Sequence, residues 1–465
     1  MLFNSPAFAI FLPVMLLVYW SLRGRSRQWA LLAGSYLFYS WWDWRFTGLL
    51  VFSTAVDYFC GLALTRQTAE RRRKGLVALS VIVNLGVLAS FKYFNFFRDS
   101  TAALLALFGI THHLPTLDVV LPMGISFYTF QSMSYTIDVY RGMRAERSFI
   151  AFATYVTCFP QLVAGPIMRA EDLLPQLHKE QKLADADFST GMFRIFRGLF
   201  KKIVIADSLS IFVDMVFADP GSFSGVSCWI ALYAYAFQIY MDFSGYTDVA
   251  IGAGWMLGLR MTENFNLPYL AKSPSEFWHR WHITLSTWLR DYLYIPLGGS
   301  RHGRRKTMRN LFLTMALGGL WHGAAWTFVA WGVYHGTLLA VERLIHGGRR
   351  PQNAPEDPFP LRALKVIGMF HLTCLGWLLF RAQDWATVQL MLTRLVDFSS
   401  GEIRGRRIVL IVALCAAAHV LPAARRLGER FVRLPAFVQG SLAGVCMWML
   451  ILLNPGAKAF IYFQF

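Results

Sequence analysis

The sequence predicts an all-α, polytopic integral membrane protein, and three observations carry that prediction. Of 465 residues, 55% are hydrophobic and only 15% are charged, too much apolar surface for a water-soluble domain of this length. Apolar runs of about 17–25 residues recur from end to end, each able to cross a hydrocarbon core of about 30 Å. The excess of 45 Lys+Arg over 27 Asp+Glu, a net charge of +18, sits in short loops between those runs. There it sets orientation by the positive-inside rule, and no DNA- or RNA-binding module is recognisable. We expect one membrane domain over 1–465 with about nine to twelve transmembrane helices, joined by re-entrant or interfacial pieces.

The first five spans can be followed by charge. Residues 7–22 cross inward to Arg23, Arg25 and Arg27, after a start (Met1 to Pro6) without a basic stretch. That order predicts an uncleaved N-terminus outside and a first loop inside. Residues 29–44 return outward to an aromatic belt of Tyr39, Trp41, Trp42 and Trp44. Residues 47–64 lead to Arg66 and the Arg71–Lys74 cluster, residues 75–97 go out to a stretch (99–118) expected outside, and 119–139 come back to Arg141, Arg144 and Arg147. Further on, Arg194, Arg197, Lys201 and Lys202 alternate with Phe193, Ile195, Phe196, Leu199 and Phe200, the pattern of a helix lying at the interface. Residues 345–360 read as a polar loop, and 408–421, flanked by basic clusters on both sides, as a re-entrant segment. Cys60, Cys158, Cys228, Cys374, Cys415 and Cys446 form no CxxC pair and read as small buried hydrophobes.

Two segments are suited to chemistry. Leu311 to Val341 is almost uncharged and contains Gly318-Gly319-Leu320-Trp321-His322-Gly323. As one straight helix it would be about 46 Å long, well beyond the membrane core, so a break at the glycines is expected, with His322 at the break. An ionisable side chain at that depth is expensive and marks function. Burial disfavours imidazolium, so a neutral ring able to take a proton from a hydroxyl nucleophile is expected, and Gly323 would let a substrate approach closely. Close helix packing is the competing explanation for these glycines. His335, His371 and His419 are lone intramembrane histidines for which packing is the simpler reading.

The second segment is Glu276 to Tyr292. Read as one helix, it gathers Phe277, Trp278, Trp281, Leu285, Trp288 and Leu289 in an arc about 120° wide, with His282 at the arc's edge and His279 pointing away. His282 is therefore the inward histidine. Glu276-x-x-His279 is half of a di-iron motif without its second half, and no metal site is expected. The basic loop with Arg301, Arg304, Arg305 and Lys306 is suited to phosphates of an acyl donor such as coenzyme A, or to anchoring topology. Asp242 and Asp248 lie beside an apolar run, where they would orient a histidine, pair with arginine, or cap a helix near Gly245. The pair Gly252-x-Gly254 lacks the strand–turn–helix context of a nucleotide loop and reads as packing.

Taken together, the segments Leu121–Gln131, Phe159–Ile167, Met241–Tyr246, Phe277–His282, Leu320–Gly323 and the ending Phe460–Phe465 resemble the membrane-bound O-acyltransferase family, in its bacterial alginate O-acetyltransferase branch. The resemblance spans nearly the whole chain. It implies a ring of helices around a central tunnel, His322 as the essential residue of the Trp-His-Gly motif with Trp321 and Gly323 beside it, and His282 as the second histidine. It implies acetyl-CoA or another cytoplasmic thioester as co-substrate, with no bound cofactor. It further implies an extracytoplasmic acetyl-acceptor protein serving a polysaccharide such as alginate or cellulose, and a multi-pass place in the bacterial inner membrane. Relatives acting on peptidoglycan, teichoic acid, lipid or protein keep other acceptors open. A transporter or export scaffold without acyl chemistry is the alternative from another class, though no internal repeat supports it.

Overall fold

A computed structural model describes residues 1–110, 115–117, 120–163, 165–183, 187–345, 357–398, 401–421, 423–452 and 460–461. Residues 346–356 of the polar loop, residue 164 of the Phe159–Ile167 segment and the last four residues of the Phe460–Phe465 ending lie outside the described residues, as do parts of the 99–118 stretch, while the loop's last two residues, 359–360, already belong to a helix. The described residues are helical apart from connecting turns and one isolated bridge, Phe223 to Glu402. They fall into two compact units, residues 1–195 with 249–262, and residues 196–248 with 263–465.

In the first unit, α1 (Pro6–Ser21), α2 (Gly24–Ser40), α3 (Arg45–Arg66), α4 (Glu70–Ala106) and α5 (Ile125–Tyr140) are helices over the five stretches read as spans, with ends shifted by a few residues except that α4 runs on through 106 in one long piece with a π-turn at Ala89–Tyr93. Their outer faces carry large apolar residues in the open, such as Leu17 at 73% and Ile82 at 68% exposure. A water-soluble surface would not keep these, whereas a lipid-facing one must. Inside, Asp57 of α3 is fully buried and accepts hydrogen bonds from Ser80, from Asn84 at 2.7 Å and from Thr136 at 2.7 Å. The Asn84 carbonyl in turn takes Ser53 at 2.8 Å and Ser132 at 3.2 Å. Polar side chains thus tie α3, α4 and α5 together where hydrocarbon surroundings give apolar contact no advantage.

In the second unit the site rests on α6 (Gly225–Met256, of which residues to 248 belong here), α7 (Pro274–Arg280), α8 (Ile283–Leu289), α9 (Gly303–His322), α10 (Trp326–Ile345) and α11 (Phe359–Arg381). Among the described residues, three helices are long and apolar enough to cross a membrane by length and composition: α3, α4 and α11. That is fewer than the nine to twelve apolar runs anticipated. Several runs are cut short by turns or carry buried polar groups, as α6 does with Asp242 and Asp248 at 2% and 3% exposure. Helices screened from lipid by other helices tolerate such groups. The 408–421 segment is a single helix, Arg406–Val420, and the expected interfacial segment is helical from Phe188 to Ala218 with a π-turn at Phe200–Ala206. No helix end falls near Gly245, which instead lies against the Gly198 carbonyl, where a Cβ would come within 2.7 Å.

Candidate active site

The break in the long apolar segment falls at His322. Helix α9 ends there, Gly323 is extended (φ −157°), and α10 begins at Trp326. The two helices return antiparallel on one another. A Cβ at Gly319 would lie 2.2 Å from the Phe328 carbonyl oxygen, and one at Gly332 would lie 2.2 Å from that of Met315. The glycines therefore bring two backbones into contact, and the turn itself is made by Gly323 and the two alanines after it. Gly323 admits the Phe328 ring, whose nearest carbon would be 2.1 Å from a Cβ. The room expected there for a substrate is taken by protein, so Gly323 serves the turn.

His322 is 4% exposed and is walled by rings: Trp321 with centroid at 5.0 Å, Trp331 at 5.0 Å and Phe380 at 5.2 Å. Trp321 also faces His282, with centroids 6.3 Å apart. One indole thus separates the two histidines of the sequence motifs, which lie 40 residues apart in the chain.

The continuous helix expected over 276–292 is broken. Helix α7 ends at Arg280, Trp281 is extended, and His282 adopts the left-handed region with φ +41° before α8 starts. His282 is nonetheless fully buried and His279 exposed, the orientation expected from helical spacing but reached through a turn. What holds that turn is Asn264, also fully buried. Its backbone oxygen accepts Ile283 N–H at 2.9 Å. Its side-chain oxygen accepts the Thr284 N–H at 3.3 Å and hydroxyl at 2.7 Å, and lies 3.3 Å from His282 Nδ1. A backbone N–H can only donate, which fixes the amide orientation and makes Nδ1 the protonated nitrogen of His282. Nε2 is then the basic one. Phe243 lies edge-on to the His282 ring at 4.6 Å.

Asp242 adjoins Phe243, and among the described residues it orients no histidine and pairs with no arginine. One carboxylate oxygen lies 3.0 Å from Lys202 Nζ and the other accepts the Ile461 N–H at 2.8 Å. Lys202 also meets Asp207 at 2.8 Å, and all three side chains are at most 4% exposed. Phe460 packs on Tyr246 at 4.3 Å and on Phe243 at 5.5 Å, so this buried ion group holds residues 460–461 against the helix that supports His282. It is Asp248 that takes an arginine, Arg197 at 2.5 Å, with Lys201 at 2.7 Å. Glu276 is engaged by Arg280 at 2.9 Å and by the Lys272 N–H at 2.9 Å. Arg301, Arg304, Arg305 and Lys306 are all exposed, in the turn before α9 and in its first turn.

Asn264, Phe243, Trp331 and Phe380 are site residues that sequence reasoning missed. Trp331 carried a signal, four residues before His335 and so on the same helix face, and Phe243 lay within the Met241–Tyr246 segment of the resemblance.

The structure defines an all-α protein with lipid-type outer faces and two histidines held away from water. The comparisons with known proteins give its kind. The family model described as membrane-bound O-acyltransferase matches residues 144–380. The chain is 46% identical to the "Probable alginate O-acetylase AlgI" of Azotobacter vinelandii over 83% of this chain and 76% of that one. It is 36% identical to the peptidoglycan O-acetyltransferase of Helicobacter pylori over 83% of this chain and 77% of that one. The teichoic acid D-alanyltransferase of Bacillus subtilis is 26% identical over 59% of this chain and 72% of its own. The chain belongs to the membrane-bound O-acyltransferase family.

Proposed function

We propose that the chain is an O-acetyltransferase of the bacterial inner membrane. In this reading it takes acetyl from a cytoplasmic thioester, acetyl-CoA, to an extracytoplasmic acceptor protein that serves alginate. The observation that carries the reading is a nine-tenths buried His322 at the tip of a helical turn, one indole away from a second buried histidine. The similarity to alginate O-acetylases supports acetyl as the group and alginate as the polymer.

The chemistry follows from what the residues offer. His322 accepts the proton of an acceptor hydroxyl as its oxygen attacks the thioester carbonyl carbon. The new C–O bond forms, the C–S bond breaks, and the proton passes from the imidazolium to the leaving thiolate. His282, basic at Nε2, steadies or relays that proton. The rings of Trp321, Trp331 and Phe380 keep water from the thioester, which hydrolysis would waste. The charged headgroup of the donor stays on the cytoplasmic side, near Arg301, Arg304, Arg305 and Lys306, while the acyl arm reaches inward.

The test is complementation. In an alginate-producing bacterium lacking its own O-acetylase, the wild-type chain restores polymer-bound acetate and His322→Ala, inserted at equal level, lowers it at least about 100-fold, the scale on which general-base catalysis contributes. Undiminished acetylation by His322→Ala overturns the assignment. Acetate appearing on peptidoglycan and not on alginate overturns the polymer.

A further inference from the structure

With His322 and His282 assigned, one buried imidazole has no role. His335 on α10 has no exposed surface, and neither of its ring nitrogens has a hydrogen-bond partner among the described residues. The other lone histidines are accounted for. His371 meets the Tyr233 hydroxyl at 2.9 Å, and His419 Nε2 accepts the Tyr269 N–H at 3.3 Å.

Around His335 stand two indoles, Trp331 with ring centroid at 4.9 Å and Trp278 at 5.2 Å, themselves 5.7 Å apart. The indole N–H groups of both are buried and have no acceptor among the described residues. Phe277 stacks nearly parallel to the imidazole at 5.9 Å, and Gly376 of α11 leaves room for it, since a Cβ there would be 2.8 Å from His335 Nε2. Three mutually touching rings thus hold four hydrogen-bonding positions in a space where such groups are costly unless satisfied. For packing alone, an apolar ring of similar shape would be the cheaper residue. The indoles only donate, while a neutral imidazole donates at one nitrogen and accepts at the other. A single water accepts from both indole N–H groups and donates to the unprotonated imidazole nitrogen, and so serves three of these four positions. Trp331 stands edge-on to His335 at 64° and to His322 at 85°, with centroids 4.9 and 5.0 Å away, so whatever fixes Trp331 fixes one wall of the reactive imidazole.

We propose that His335, Trp278 and Trp331 form a binding pocket for one buried water, and that His335 acts through it as a positioning residue, holding the Trp331 ring against which His322 is set. This rests on the assignment of the reactive centre to His322. The test compares His335→Gln, which keeps a donor and an acceptor, with His335→Met, which keeps bulk alone. Trp331→Phe and His322→Ala serve beside them. Each full-length chain is assayed in membranes for consumption of labelled acetyl-CoA, per folded molecule recovered in detergent. Expected for His335→Met is a fall in kcat of about tenfold or more, with KM for acetyl-CoA unchanged and a melting temperature no lower than wild type, as a displaced wall and not a lost fold would produce. Trp331→Phe behaves alike, and His335→Gln stays within about threefold of wild type. Equal rates for His335→Gln and His335→Met overturn the proposal at whatever level they fall. An inactive His322→Ala beside such equality leaves the reading of His322 standing, whereas a fully active His322→Ala removes that reading and this inference together.

Discussion

The backbone at His282 stores strain at the ring that the proposed chemistry uses. Among described residues only His282 and Leu267 carry a positive φ without being glycine. That conformation costs about 1–2 kcal/mol for an ordinary residue and is offset here by the hydrogen bonds that Asn264 accepts from Thr284. Asparagine tolerates the left-handed region and alanine does not. His282→Asn is therefore expected to fold with wild-type stability and lose acetyl transfer about 100-fold, on the scale of an acid–base residue. His282→Ala should lose the same activity and about 1–2 kcal/mol of stability besides. Denaturant titration of the purified variants reads the second quantity. An active His282→Asn would reduce the imidazole to a structural part.

The pairing of α9 with α10 is an element built on missing side chains. Adding a methyl at Gly319 or Gly332 places carbon 2.2 Å from a carbonyl oxygen of the facing helix, and backbone cannot yield as a flexible side chain can. Gly319→Ala is expected to cost about 1–3 kcal/mol, the range for overpacking, and to swing His322 out of register three residues further on. Melting temperature and acetyl transfer should fall together, whereas Gly86→Ala, with nothing within 4 Å, should change neither. An unaffected Gly319→Ala would show the helices free to part. This element was legible in the sequence because an uncharged segment too long for a bilayer, with glycines in its middle, has to break. The break at His282 was not legible: His282 carries no glycine, and the partner that pays for its turn, Asn264, is 18 residues away. Helical spacing still placed His282 inside, because Trp281, Leu285 and Trp288 are buried on both sides of the turn. The link from Asp242 to Lys202 and Ile461 was equally hidden, since nothing local in a sequence reveals contacts 40 and 219 residues apart.

At the scale of the whole chain, the proposed reaction requires an orientation that brings the thioester to His322 from the cytoplasmic side. The apolar arm of α9 from Leu311 to His322 rises about 18 Å, and that of α10 from Trp326 to Ala340 about 22 Å, both short of a core of about 30 Å. Both arms end in basic residues, Arg301 to Arg309 on one and Arg343 on the other, so the positive-inside rule predicts both ends on the cytoplasmic face and the tip within the membrane. Cysteine labelling tests this directly, because five of the six native cysteines are buried and Cys446 is exposed. In a Cys446→Ser background, Ser300→Cys is expected to react with a membrane-impermeant maleimide in inside-out vesicles and not in intact spheroplasts. Ala324→Cys, two residues past His322, should react far more slowly from either side, and acetyl-CoA added to inside-out vesicles should slow the reaction at position 300. Labelling of position 300 in spheroplasts would reverse the orientation, and with it the side from which the thioester enters.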